Sequence, residues 1–243
     1  GSVAANIAII GVGSLGSSIG ELLVRAGIKT IGLIDDDIIE AGNVCRHVAT
    51  LIDVGKKKVE ALGSRLLQIT PHVQVQMHAQ RLPLIKQKLH DLLEPYDLII
   101  DCTASNEVLE GLALGWWSIP KLFLSASVGH RARRMFIFTA FGNQFPVAEY
   151  HRQIEPWLRN ESASWAEEGE ILEGPGCWSP LFPARYDDMM LAAIVTVKML
   201  EKFTATPPTA PLLHVFEQKH DSKGFSCVVC LNEIPVPEDA NSS

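Results

Sequence analysis

The sequence predicts an α/β fold in which helices flank a doubly wound, mainly parallel sheet with a few antiparallel strands. Its first apolar run extends from Asn6 to Ile10 and is followed by glycines at positions 11, 13 and 16. A second apolar run, Thr30–Ile34, ends at Asp35. Further apolar runs then alternate with stretches of helical period, which is the pattern of a Rossmann-like sheet.

The glycines have the spacing G-x-G-x-x-G between a strand and a helix. Gly11 allows a tight turn, Gly13 lets the backbone approach a phosphate, and Gly16 allows close packing of helix on strand. The helix is expected from about Ser17 to Ala26 and to end at Gly27, and its N-terminus favours an anion. Asp35 follows about where such a unit carries its ribose-binding acid. Together these features predict a nucleotide site.

The remaining elements follow from periodicity and from proline and glycine breaks. A helix opens at Lys56, Lys57 and Lys58 and stops before Pro71. Strands are expected at 72–77, 97–101, 122–125, 135–140 and 212–216, and helices at 84–93, 108–114 and 187–203. We expect one domain over residues 1–234, with residues 227–230 closing the ordered part and a flexible tail at 235–243.

Residues 143–183 differ from the rest of the chain. They mix proline, glycine, tryptophan and acidic residues without a clear period. A long irregular stretch inside a domain is usually a functional loop or a disordered one. We therefore expect a crossover loop here that carries Cys177.

Composition excludes several classes of function. The formal net charge of −7 leaves no basic excess for general nucleic-acid binding. No apolar stretch approaches the length of a membrane span, and no signal peptide is expected. Five scattered cysteines favour a reducing, cytoplasmic compartment over a disulfide framework. Because the chain starts almost directly on a core strand, we expect a domain cut from something longer.

Six segments in order carry a family resemblance: residues 11–16, 33–37, 42–47, 54–60, 101–106 and 176–180. They resemble the ThiF/MoeB/E1 adenylation domains that activate ubiquitin-like proteins, and the resemblance covers roughly residues 6–202. The Arg46–His47 pair and the Gly-Cys-x-x-Pro segment are most similar to bacterial E1 domains. Those occur in E1–E2 fusions or beside E2-like and deubiquitinase-like proteins, some of them in phage-defence operons.

The resemblance implies an ATP site. Glycine-loop residues would line ATP, Asp35 would take the ribose hydroxyls, and Asn43, Arg46 and Lys58 would face the phosphates. In the expected reaction, a carboxyl-terminal glycine attacks the α-phosphate and pyrophosphate leaves, and Arg and Lys clamps suit the developing charge. The complete expected set is Gly11, Gly13, Ser14, Gly16, Asp35, Asp37, Asn43, Arg46, Lys58, Asp101 and Ser105, with Arg46 and Lys58 acting in catalysis.

Two departures concern the metal ions. The family commonly has a second acid that helps to hold Mg²⁺, and here Ala104 and Ser105 stand in its place. Magnesium would then rest on Asp101, Ser105 or water. The C-x-x-C pair Cys227 and Cys230 is half a zinc site, and since zinc normally takes four ligands we expect no zinc.

Cys177 is the expected second catalytic group. It lies in the irregular segment just before a helix, where it could take the acyl group as a thioester and pass it to an E2-like cysteine. A buried packing role is the alternative for a free cysteine. Relatives are symmetric dimers, and Trp116 with Trp117 could supply the interface, unless both belong to the core.

Three other functions stay open at this point. The domain could stop at adenylation, as in sulfur-carrier activation. It could be a non-catalytic nucleotide-binding scaffold, and Ala104 favours this alternative because the family commonly has a metal-binding acid in this place. An NAD(P)-dependent dehydrogenase would share the glycine loop and Asp35, but it gives no reason for Arg46 together with Lys58.

Overall fold

The computed structural model describes residues 5–167 and 184–231, which build one eight-stranded sheet in the order β3-β2-β1-β4-β5-β6-β7-β8. Strands β1 to β5 are parallel to one another, while the pairs β5–β6, β6–β7 and β7–β8 are antiparallel. The sequence prediction of a mainly parallel sheet with antiparallel strands at one end is confirmed. The strands are β1 Asn6–Ile10, β2 Thr30–Ile34, β3 Gln74–His78, β4 Leu98–Asp101, β5 Lys121–Val128, β6 Arg134–Gly142, β7 Leu212–Asp221 and β8 Gly224–Cys230.

Six helices cover the two faces of the sheet among the described residues: α1 Ser14–Arg25, α2 Lys58–Leu67, α3 Lys86–Leu93, α4 Asn106–Leu114, α5 Val147–Glu167 and α6 Tyr186–Ala205. Alternation along β1 assigns Ile7 and Ile9 to one core and Ala8 and Ile10 to the other. The first core contains the apolar faces of α1, α2 and α6. The second contains those of α3, α4 and α5. In the described part of the chain, every helix is too short or too polar to cross a membrane.

Helix α1 ends where the sequence placed its stop. The Gly27 N–H donates to the Val24 carbonyl at 3.0 Å, and the Ile28 N–H donates to the Leu23 carbonyl at 3.1 Å. This is a Schellman motif, in which the residue after the helix takes the left-handed conformation. Gly27 has φ +100°, which a glycine adopts without strain.

The expectation of an irregular segment over residues 143–183 is wrong for its first part. Residues Val147–Glu167 form helix α5, which continues through Pro156. Tyr150 and Ile154, one helical turn apart, are buried against the sheet. Their apolar spacing was a signal of helix, which the proline and the polar neighbours obscured. Residues 168–183, with Cys177, and the tail at 235–243 lie outside the described residues.

The two tryptophans that could supply a dimer interface differ in position. Trp117 is fully buried, at 0% exposure, and its ring packs on Phe123 at a centroid distance of 5.7 Å. Trp116 is 57% exposed. Trp117 therefore belongs to the core, and the expectation that both rings form an interface is wrong. Dimerisation stays a prediction.

Candidate functional site

A cleft of about 500 Å³ opens at the carboxyl ends of β1, β2 and β4. In this sheet the chain runs from β1 to β2 and β3 on one side, and it then crosses back to β4 on the other side of β1. Open α/β sheets bind ligands at such a switch point. Of the residues expected at the ATP site, eight line the cleft: Gly11, Gly13, Ser14, Asp35, Asp37, Asn43, Lys58 and Ser105.

The glycine loop forms the floor of the cleft. Gly11 has φ +82° and its N–H donates to the Ile34 carbonyl at 2.9 Å, which ties the loop to β2. Gly16 packs below the loop, where an added Cβ would lie 2.0 Å from the Gly11 carbonyl oxygen. Helix α1 begins at Ser14, and no side chain in the described structure caps it at Gly13. Its first amides therefore face the cleft as anion donors.

Asp35 is held with its carboxylate at the edge of the cleft. Its Oδ2 accepts the Val12 N–H at 2.8 Å, and its Oδ1 accepts the Asp37 N–H at 2.9 Å. Burial raises the pKa of Asp35, while the backbone N–H of Asp37 and the Lys58 charge oppose that rise. Each oxygen keeps a further lone pair, which suits the two hydroxyls of a ribose.

Lys58 is the lysine of its triplet that lines the cleft. Its Nζ donates to Asp37 Oδ2 at 2.8 Å, and the side chain is only 7% exposed. Lys56 pairs with Asp53 on the surface, and Lys57 donates to the Asp36 carbonyl. The start of helix α2 thus delivers one buried cation to the cleft. Because that cation is desolvated, it acts more strongly on an anion than a surface lysine would.

The loop from 41 to 49 contributes Asn43 and His47 to the cleft lining. Asn43 ends a 3₁₀ turn, and its Oδ1 accepts the Glu40 N–H at 2.9 Å, which leaves the amide NH₂ for a ligand. Arg46 is buried, at 4% exposure, but does not belong to the cleft lining. His47 does line the cleft and is 3% exposed.

Asp101 lies beside the cleft and not in its lining. It is 1% exposed, and its Oδ1 accepts the Thr103 hydroxyl at 2.6 Å while its Oδ2 accepts the Ser125 hydroxyl at 2.8 Å. Burial raises its pKa, and those hydrogen bonds oppose the rise. In this position Asp101 shapes the turn after β4, and its role as a magnesium ligand stays a prediction. Ala104, within that turn, lines the cleft with φ +52°.

Three acidic side chains gather at the mouth of the cleft. One carboxylate oxygen from each of Asp35, Asp36 and Asp37 lies within 4.8 Å of the other two. Asp37 is already paired with Lys58, and Asp36 with Arg81 at 2.9 Å. Arg81 also lines the cleft. The sequence does not predict this position, because a lone Arg after a short strand belongs to no recognisable motif.

Cys227 and Cys230 occupy strand β8, three residues apart. Residues at an odd spacing on a strand point to opposite faces of the sheet. The absence of zinc stays a prediction.

The sheet order and the cleft at the carboxyl ends of its parallel strands define an α/β domain of Rossmann type. The model of the ThiF family matches residues 3–109, and the chain therefore contains a domain of the ThiF family.

The chain is 38% identical over 205 residues to the "ATP-dependent ubiquitin transferase-like protein Cap2" of Enterobacter hormaechei subsp. hoffmannii (strain UCI 50), covering 83% of this chain and 33% of Cap2. It is 26% identical over 257 residues to the "Adenylyltransferase and sulfurtransferase uba4" of Aspergillus niger, covering 97% of this chain and 49% of that protein. The chain thus spans a third to a half of the length of these relatives.

Among solved structures, E. coli MccB with ATP superposes with a TM-score of 0.61 and 17% sequence identity, over 94% of this chain and 64% of MccB. At that identity the likeness concerns the fold.

Proposed function

We propose that this domain binds ATP and adenylates the carboxyl terminus of a protein or peptide. The observation that carries the proposal is the meeting, in one cleft, of the glycine loop, Asp35 and the buried Lys58. A dehydrogenase needs the first two, whereas a buried ammonium beside the helix N-terminus suits a triphosphate. The descriptions of Cap2 as "ATP-dependent" and of uba4 as an "adenylyltransferase" favour the same chemistry.

The reaction needs charge stabilisation more than proton transfer. A carboxylate oxygen of the substrate attacks the α-phosphorus, and a new oxygen–phosphorus bond forms. The bond from that phosphorus to the oxygen bridging to the β-phosphate breaks, and pyrophosphate leaves with the electron pair. Negative charge grows on the α-phosphate oxygens and on pyrophosphate, where Lys58 and the amides of the α1 N-terminus would stabilise it. Magnesium would enter with the phosphates of ATP.

The test is exchange of labelled pyrophosphate into ATP in the presence of ubiquitin-like proteins with a free C-terminal carboxyl. Lys58→Ala should lower exchange by ~10²–10³-fold, because one buried charge contact to the transition state is lost. The matched control is Lys56→Ala, since Lys56 pairs with Asp53 on the surface and does not line the cleft. Unchanged exchange in Lys58→Ala would remove Lys58 from the mechanism. Binding of NAD in preference to ATP would overturn the proposal itself.

We further propose that the acyl group passes from the adenylate to Cys177 and then to an E2-like protein. The name "ubiquitin transferase-like" of Cap2 favours this second step. The Cys177 thiolate would attack the acyl carbon, form a thioester and release AMP. Cys177→Ala should keep pyrophosphate exchange but form no thiol-sensitive conjugate on a non-reducing gel. A conjugate that persists in Cys177→Ala would assign the acyl group to another cysteine, and its absence from the wild type would leave adenylation alone. Whether this activity serves phage defence depends on which protein the domain adenylates.

A further inference from the structure

His47 makes two hydrogen bonds that use both nitrogens of its ring. Its Nε2 lies 2.7 Å from the Val12 carbonyl oxygen, and its Nδ1 accepts the Ala49 N–H at 2.9 Å. Because Nδ1 accepts a hydrogen bond, the ring proton must be on Nε2, which donates to Val12. No ring nitrogen is left for a substrate, so His47 is not placed to act as an acid or a base.

The partner of His47 is the centre of the glycine loop. Val12 is fully buried between Gly11 and Gly13, and its N–H donates to Asp35 Oδ2 at 2.8 Å. The two peptide units on either side of Val12 are therefore each held by a side chain, one by Asp35 and one by His47. Such clamping of a loop before the ligand arrives is preorganisation.

The carbonyl that His47 holds sets the direction of the next amide. In a trans peptide the C=O of Val12 and the N–H of Gly13 point in opposite directions. Val12 is buried away from the cleft, whereas Gly13 lines it. Holding the Val12 carbonyl at His47 therefore also fixes the direction of the N–H of Gly13, a residue that lines the cleft.

We propose that His47 is a positioning residue, which fixes the Val12–Gly13 peptide so that the glycine loop presents its N–H groups to the phosphates of ATP. The inference rests on the proposed function, since it requires ATP in this cleft. His47 is itself positioned, because its backbone N–H donates to the Asn43 carbonyl at 3.0 Å. The loop from 41 to 49 and the glycine loop are thus joined through one imidazole.

The test compares ATP with adenosine by calorimetry on the whole chain. His47→Leu keeps apolar bulk but removes the donor, and it should weaken ATP binding by about 10- to 100-fold because a buried carbonyl is left unpaired and the loop can turn. Adenosine, which lacks phosphates, should lose far less affinity. Equal losses for both ligands would show a general structural role and would overturn the proposal, as would no loss.

Two further variants sharpen the result. His47→Gln keeps an N–H donor at a similar reach and should recover most of the ATP affinity; a loss as large as that of His47→Leu would contradict the donor role. His78→Leu is the matched control, since His78 is partly buried on β3 and its Nε2 lies 3.5 Å from the Tyr96 hydroxyl oxygen, outside the cleft lining. It should bind ATP like the wild type. If the wild type binds no ATP, the proposed function fails instead.

One measurement needs no substitution. In a ¹⁵N-histidine spectrum of the wild-type chain, His47 should show a protonated Nε2 and an unprotonated Nδ1 at neutral pH. The opposite tautomer would overturn the proposal, even if His47→Leu fails to fold.

Discussion

The sheet has a parallel half and an antiparallel half, and the cleft belongs to the parallel half. In the parallel half, residues 5–128, the strands β1, β2 and β4 end in a cleft that buries Lys58 and His47. In the antiparallel half, residues 134–167 and 184–231, the core at β6 and α5 consists largely of aromatic rings. Every residue that lines the cleft in the described structure lies between Ile10 and Ser127.

The difference separates ligand binding from stability. Polar groups in the parallel half are held by hydrogen bonds of fixed direction, so small displacements there should change affinity. Rings in the antiparallel half contribute apolar area, so their loss should change the free energy of unfolding. Substitutions in each half test this division.

The largest effect is expected at Phe138, which is 0% exposed in the antiparallel half. Its ring contacts Phe145 at a centroid distance of 5.8 Å and Tyr150 at 5.3 Å. Phe138→Ala should lower the free energy of unfolding by about 3–5 kcal/mol, because it removes a buried ring and leaves a cavity. Urea denaturation measures the loss, with Phe225→Ala, at a 56% exposed ring, as the control. An ATP affinity that falls along with stability in the folded protein would break the division between the halves.

The next effect is a pH dependence of stability from His47. Burial lowers its pKa from 6.5 to about 4, the Val12 carbonyl opposes that shift, and Lys58, Asp53 and Arg65 also act on the ring. Between these two pKa values the unfolded chain binds a proton that the folded chain does not. Stability should therefore fall as pH drops from 6.5 towards 4, by about 3 kcal/mol in all.

Asp35 and Asp101 complicate the raw curve, because burial raises their pKa and gives a dependence of opposite sign. The difference between the wild type and His47→Gln isolates the histidine. If the free energies of unfolding of the two proteins change in parallel from pH 7 to pH 4, His47 has the same pKa in the folded and unfolded states, and the prediction is wrong.

A smaller effect is expected at Gly16. The methyl group of Gly16→Ala would lie 2.0 Å from the Gly11 carbonyl oxygen, so the loop and helix α1 must move apart. We expect ATP affinity to fall about tenfold or more, since the phosphate donors are displaced. Gly20→Ala on the same helix is the control, because its nearest neighbour would lie at an ordinary 3.5 Å. Equal affinities for the two variants would contradict a loop of fixed geometry.

The sequence predicted the parallel half well because its signals are local. Apolar runs, the glycine spacing and Asp35 each lie within a few residues of the element that they define. Helix α5 was missed because Pro156 and polar neighbours hide the pair Tyr150 and Ile154, whose burial depends on the sheet. Tertiary packing decides such segments.

Within the cleft, residue type was predicted better than position. Lys58 lines the cleft, whereas the Asp101 carboxylate lies outside the lining and accepts hydrogen bonds from the Thr103 and Ser125 hydroxyls. The contact of His47 with Val12 joins residues 35 positions apart and leaves no mark on the local sequence. Such contacts follow only from the folded chain.

A crystal structure of the chain with ATP would show directly whether this cleft holds the nucleotide. We expect ribose hydroxyls within hydrogen-bond distance of Asp35, and phosphate oxygens at the Gly13 N–H and Lys58 Nζ. A triphosphate that points away from Lys58, or ATP bound outside this cleft, would contradict this expectation.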